Sequence, residues 1–295
     1  MLKKILVPLD GSALAEQAIA SAAELSIPTG ATMLLVRVAH SHTLPGIDPR
    51  ERKDGAIVDA ERYLTHTAAK LIERGYGCEA VVPFGSASEG IAEQARLHNT
   101  SLIVMSSHGR TGPSRLLFGS IAEAVVARSC TPVLVTRAWL PNDTHWRLPD
   151  RPLLVVPLDG STFAEAALEP TVALADDLEA GILLVRAEPR GAALTEALDY
   201  LTRMEARLQQ TYPHLTVITD VRSGEPPEAI DAALRQNGAS LIVMATHGRG
   251  GLVRSLMGSV AGRVLREGTA PTILVRPAAH ADTTAEPAQQ VVAAY

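Results

Sequence analysis

Gly119-Ser120 and Gly258-Ser259 are the residues whose type and setting best suit the holding of an anion. Each pair closes a glycine-containing loop. Ten residues upstream stand Gly109 and Gly248, inside the matched stretches SLIVMSSHGRTGPSRLLFGS (101–120) and SLIVMATHGRGGLVRSLMGS (240–259). Ser120 is followed three residues later by Glu123, the spacing of a capping box, so a helix is expected to begin at Ser120. A glycine loop running into a helix N-terminus offers backbone N–H groups at the positive end of the helix dipole. Phosphate is the commonest ligand of such a site. Asp10 and Asp159, each preceded by Val-Pro-Leu, supply a second polar group. In the plain reading they are turn carboxylates before a helix; in the functional one they accept a hydrogen bond from a ribose hydroxyl or a base.

Other chemistry-bearing residues are weaker. His108 and His247 flank the loops without partners at metal-ligand spacing, and His40-x-His42 occurs in one half only, where it reads as solvated loop. Arg110, Arg115, Arg249 and Arg254 are either surface charges or, by position, neutralisers of phosphate. There is no G-x-x-x-x-G-K-[ST], no G-x-G-x-x-G after the first strand and no G-x-S-x-G elbow. No general base stands out, and the pattern is that of a binder.

The elements that position these residues come as a duplication. VPLDGS at 7–12 returns at 156–161, and LLVR at 34–37 returns at 183–186, both offset by 149. From Gly85 and Gly224 onward the offset is 139, so the first copy carries about ten extra residues, expected in the loop HSHTLPGIDPRERKDG (40–55). Apolar runs at KILVPL, 31–38, 78–83, 101–105 and 132–136 read as strands, alternating with helices at 12–25, 54–74, 87–98 and 120–129. The second copy repeats the strands at 153–157, 181–185, 216–221, 241–244 and 272–275. Near-continuous apolar strands alternating with helices mean an α/β fold of two doubly wound parallel five-stranded sheets, Rossmann-like in layout. Ligands of such sheets lie beyond the carboxyl ends of the strands, where the winding reverses. Asp10 and Gly109 both follow strand ends. The expected organisation is a first domain at 1–137, a linker at 138–151, a second domain at 152–277 and a mobile tail at 278–295.

At 295 residues, 46% hydrophobic and with a net charge of −5, the chain can build two cores and carries no basic footprint for nucleic acid. Aromatics at 3% leave few stacking platforms for bases. No apolar stretch reaches membrane-spanning length, and the two cysteines, Cys78 and Cys130, are expected as buried or neutral thiols of a cytoplasmic protein.

These motifs resemble the universal stress protein family in its tandem two-domain form, over about residues 2–137 and 152–276. Nucleotide-binding members carry G-x2-G-x9-G-[S/T] after the fourth strand and an aspartate after the first. Gly109, Gly119, Ser120 and Gly248, Gly258, Ser259 match; the first glycine is Ser106 in one copy and Ala245 in the other. The resemblance implies ATP, with Mg2+ as an optional companion, at one site per repeat. Pro8, Asp10 and Val38 would line the adenine and ribose end, Met105, Ser106 and Gly109 the wall, and Gly119, Ser120 and Ile121 the phosphates. In the second repeat these are Pro157, Asp159, Ala187, Met244, Ala245, Gly248, Gly258, Ser259 and Val260. It also implies a sheet order of 3-2-1-4-5, pairing of the fifth strands as an internal pseudo-dimer, and room for a further homodimer.

The leading expectation is a stress-response sensor or regulator that binds adenine nucleotide, hydrolyses it slowly if at all, and answers to a regulatory protein partner of unknown identity. The alternatives are a nucleotide-independent interaction module of the same fold and a related nucleotidyl-transfer enzyme.

Overall fold

The computed structural model describes residues 2–40, 49–107, 119–136, 146–192, 194–247, 257–268 and 270–277. Repeat one comprises β1 (Lys4–Pro8), α1 (Ala13–Thr29), β2 (Thr32–Val36), α2 (Pro49–Glu73), β3 (Cys78–Val81), α3 (Ala87–Leu97), β4 (Leu102–Ser106), α4 (Ser120–Arg128) and β5 (Val133–Thr136). Repeat two comprises β6 (Leu153–Pro157), α5 (Thr162–Glu165), α6 (Leu168–Leu178), β7 (Gly181–Glu188), α7 (Thr195–Thr211), β8 (Val217–Ser223), α8 (Pro226–Gln236), β9 (Leu241–Ala245), α9 (Ser259–Glu267) and β10 (Thr272–Val275).

All ten strands form one sheet in the order β3-β2-β1-β4-β5-β10-β9-β6-β7-β8. Each half, read inward from its outer edge, has the order 3-2-1-4-5. Within a half every pairing is parallel, and the registers repeat: Lys4 faces Thr32 as Leu153 faces Gly181, and Ile5 faces Leu102 as Leu154 faces Leu241. The halves meet through β5 and β10, which are antiparallel, with Thr272 opposite Val135, Ile273 opposite Leu134 and Leu274 opposite Val133. Under the 139-residue offset those outer pairs exchange, so a local two-fold passes through the Leu134–Ile273 pair. Two apolar strands that would each be an exposed edge cover one another.

Alternation along the strands splits the core into two layers. Ile5, Val7, Met33 and Leu35 pack with Ala18, Ala22 and Leu25 of α1 and Leu64 of α2. Leu6, Leu34, Val36, Ile103 and Met105 pack with Ile91 of α3 and Val125 and Val126 of α4 on the other face.

One expectation is corrected. The extra residues of repeat one do not all lie in a loop: α2 begins at Pro49 and runs 25 residues against 17 in α7. A Tyr-Leu-Thr triplet at 63–65 and 200–202 marks the shared part of these helices. The first helix of repeat two is split into α5 and α6, because Pro170 has no N–H and its ring clashes with the carbonyl four residues back; its counterpart in α1 is Ser21. Cys130 is exposed, whereas Cys78 is partly buried with its thiol pushed up to about 11, first by burial and then by Glu79. The proposed tail and linker residues 138–145 lie outside the described residues.

Candidate nucleotide site

β1 and β4 are neighbours, yet pair only at Ile5–Leu102 and Leu6–Ile103. β1 stays paired with β2 as far as Pro8, and β4 with β5 as far as Ser106. The sheet therefore opens between the carboxyl ends of β1 and β4, where the winding reverses. β6 and β9 diverge in the same way after two pairs.

Asp10 stands at one wall of this opening. Its carboxylate accepts the backbone N–H of Ser12 at 2.8 Å, and that of Asp159 accepts Ser161 N at 2.9 Å and Ser161 Oγ at 2.6 Å. Gly11 and Gly160 between them adopt φ of 84° and 85°, a conformation that L side chains rarely take. The turn fixes the aspartate at the strand end and aims the chain into the next helix. Ser12 Oγ and Ser161 Oγ then cap α1 and α5 by accepting Ala15 N and Ala164 N, each at 3.2 Å.

The opposite wall is the start of α4 and α9. Gly119 N donates to Ser107 O at 2.9 Å and Gly258 N to Thr246 O at 2.7 Å. These bonds pin both ends of the intervening loop and hold the helix N-terminus against the end of β4 or β9. The helix does begin at Ser120, but not with the capping box: Gly119 is the N-cap, Ser120 is the first helical residue, and the N-cap glycine has no side chain with which to cap it. α9 starts identically, with Gly258 as N-cap and no side-chain cap. Among the described residues the N-cap position therefore offers the first-turn N–H groups no side-chain acceptor, unlike Ser12 in α1. Gly258 is glycine for space, since its φ is an ordinary −62°. A Cβ there would lie 3.0 Å from Thr246 O and 3.5 Å from His247 Cα.

The remaining expected residues fall around the opening as follows. Pro8 and Pro157 end β1 and β6, and Met105, Ser106, Met244 and Ala245 end β4 and β9, all four of these buried. Val38 and Ala187 are half-buried at the ends of the second strands. Ser120 and Ser259 are exposed; Ile121 is 47% exposed, an apolar side chain open beside the helix start, while Val260 packs on the core. Gly109 and Gly248 lie outside the described residues, as do His42, His108, Arg110, Arg115, Arg249 and Arg254. Among the described residues no cluster of three or more His, Cys, Asp or Glu could hold a metal. A helix start of this kind, beside a glycine at the end of a strand, is chemically suited to an anion.

One constellation was not anticipated from the sequence. Tyr63 Oη donates to Glu16 Oε1 at 2.7 Å while the Arg37 guanidinium sits 4.7 Å from the tyrosine ring centroid. In repeat two Tyr200 Oη donates to Glu165 Oε1 at 3.0 Å under Arg186 at 5.1 Å. Both phenols are held above their usual value, chiefly by burial and then by the glutamate that accepts the proton's hydrogen bond; the nearby Asp159 charge adds to the effect on Tyr200. The triad ties the first helix, the second strand and the second helix together at the site's edge. Glu16 and Arg37 recur at the 149 offset and Tyr63 in the Tyr-Leu-Thr triplet, so comparison of the two copies could have found it. The copies differ here: Arg186 also pairs with Glu188 at 2.6 Å, both largely buried, whereas residue 39 is alanine.

The chain matches the sequence profile of the universal stress protein family over residues 1–137 and again over 153–276. A universal stress protein of Mycobacterium tuberculosis is 27% identical over 235 residues, covering 74% of this chain and 77% of that protein. The crystal structure of a universal stress protein from Archaeoglobus fulgidus superposes with a TM-score of 0.74 at 23% identity, covering 94% of this chain and 99% of that one. A putative universal stress protein from Pseudomonas aeruginosa gives 0.63 at 18% identity, covering 94% of each. With the profile matched twice, in the two halves that share one strand order, this chain belongs to the universal stress protein family, in a tandem arrangement.

Proposed function

We propose that each repeat binds one adenine nucleotide, ATP with Mg2+ on its phosphates, and that the protein acts as a stress-response sensor or regulator whose output passes to a protein partner. The observation that carries this reading is the uncapped start of α4 and α9, pinned by glycine against the carboxyl end of β4 and β9 and facing Asp10 or Asp159 across the sheet opening. Uncapped amides and the helix dipole suit phosphate oxygens. Pro8, Val38 and Met105, or Pro157, Ala187 and Met244, supply an apolar slot for a base, and the aspartate supplies an acceptor for a hydroxyl or amine. Ser106, Gly109, Ser120 and Ile121 complete the first site, and Ala245, Gly248, Ser259 and Val260 the second. Mg2+, when bound, would neutralise phosphate charge; the chain itself binds and orients.

The test is mass spectrometry of small molecules released by denaturing freshly purified protein, followed by ATP–Mg2+ calorimetry on wild type and a Gly119→Val/Gly258→Val double variant. Nucleotide near two per chain, with binding lost in the folded variant, is the expected result. A folded wild type that carries no nucleotide and gives no binding heat would move the reading to a nucleotide-independent interaction module.

A further inference from the structure

The two repeats differ in charge beside the sheet opening, on the strand next to the one that leads to the aspartate. In repeat one β2 runs alongside β1 with Val36 opposite Pro8, and Leu9 N donates to Val36 O at 2.8 Å. Arg37 follows, one step before the level of Asp10. β6 and β7 keep the same register, with Val185 opposite Pro157 and Leu158 N donating to Val185 O at 2.8 Å. Arg186 therefore has the same station relative to Asp159. Each guanidinium lies over a tyrosine ring tethered to a glutamate, Tyr63 to Glu16 and Tyr200 to Glu165.

An aromatic face attracts a cation without cancelling its charge, whereas a carboxylate cancels it. Repeat two makes the cancellation. Arg186 Nε donates to Glu188 Oε1 at 2.6 Å, and the two side chains are 7% and 17% exposed. In repeat one Ala39 stands where Glu188 does, and Arg37 makes no salt bridge among the described residues. The neighbouring charges do not undo this difference. Counting from the Tyr-Leu-Thr triplets, Arg207, which pairs with Glu165, corresponds to Lys70, and Arg190 corresponds to Lys53. The start of α7 carries Glu196 and Asp199 where α2 carries the ion pair of Asp59 and Arg62, which tilts the balance the same way.

We infer that Arg37 and Glu188 set the charge preference of the two sites, an inference that rests on the reading of each repeat as an adenine-nucleotide site. Repeat one favours nucleotides with more phosphate charge. Repeat two, with its arginine neutralised, depends little on that charge. Contact between Arg37 and the ligand is not required, because a charge at a concave, low-dielectric strand end acts through its field.

The test compares ADP with adenosine, without Mg2+ and at low ionic strength, by calorimetry on full chains that keep one site: Gly258→Val for the first and Gly119→Val for the second. The preference for ADP over adenosine is expected to be about tenfold greater at the first site, the low end of what a focused field does for a charged ligand. Ala39→Glu should bring the first site's preference down to that of the second. Arg37→Gln should do the same without placing a carboxylate at a buried position. In both variants the adenosine affinity should stay within about twofold, separating loss of charge from damage to the slot. Equal preferences at two working sites, unmoved by either substitution, would overturn the inference and leave the nucleotide reading standing. So would a preference that moves only through adenosine. No binding of either compound by the folded wild type would sink the nucleotide reading and the inference with it.

Discussion

Gly258 gives the sharpest test of how the candidate site is built. In Gly258→Ala the new Cβ meets Thr246 O at 3.0 Å, and this neighbour is backbone that cannot rotate away. Restoring ordinary contact requires the loop base to open by about 0.5 Å. The Gly258 N–Thr246 O bond, now 2.7 Å, is then stretched past good geometry, a loss of about 1 kcal/mol. Alanine is also a poorer N-cap than glycine, which adds roughly another 0.5 kcal/mol. The fold should survive with a stability loss of about 1–2 kcal/mol. The first turn of α9 moves with the loop base, however, and its amides lose register with a bound phosphate. One charge-assisted hydrogen bond lost is about 1.5–3 kcal/mol, or roughly ten- to a hundredfold in Kd. Calorimetry with ATP–Mg2+ should therefore show one site at wild-type affinity and one weakened at least tenfold. Gly119→Ala should weaken the other site alone. A folded Gly258→Ala protein with both sites at wild-type affinity would falsify the assignment of α9 to phosphate binding.

Glu188→Ala leaves the largely buried Arg186 without its carboxylate and should cost about 3 kcal/mol in urea unfolding, while Arg186→Leu/Glu188→Ala should recover much of it. Trp146→Ala should cost about 2 kcal/mol through lost packing and an orphaned Ser240 carbonyl. Tyr63 and Tyr200 have raised folded-state values, so the unfolded chain releases those protons first. Stability should be insensitive to them at neutral pH and fall as pH rises past about 10, with two of the five tyrosines ionising only on unfolding in an ultraviolet titration. At pH 8 the Cys78 thiol, at about 11, holds only about a thousandth of its population as thiolate, so iodoacetamide should label the exposed Cys130 first.

The strands were legible because parallel strands buried on both faces read as continuous apolar runs, and Leu102–Ser106 and Leu241–Ala245 are buried throughout. Asp10 and Gly119 were legible because each recurs with its neighbours at a fixed offset. What escaped was set by contacts between distant elements. The Ser120–Glu123 spacing suggested a cap, but the bond from Gly119 to Ser107 makes the glycine the boundary residue. The Glu16–Tyr63–Arg37 triad draws on three elements, and no single stretch of sequence contains it. Pro170 was visible, yet its effect depends on the helix it interrupts.

The two-fold pair at Leu134 and Ile273 has a genetic consequence. Two identical subunits meeting through such strands must carry identical sites, because any change in one appears in the other. Joining them in one chain removes that constraint and fixes each half to a single partner that cannot be exchanged. Each half is then free to drift alone, as it has at Val38 against Ala187 and at Ala39 against Glu188. If both repeats bind nucleotide as proposed, the tandem chain holds two differently tuned sites on one sheet, facing opposite ways because β5 and β10 run antiparallel, and answers over a wider range of ligand concentration than a symmetric pair could.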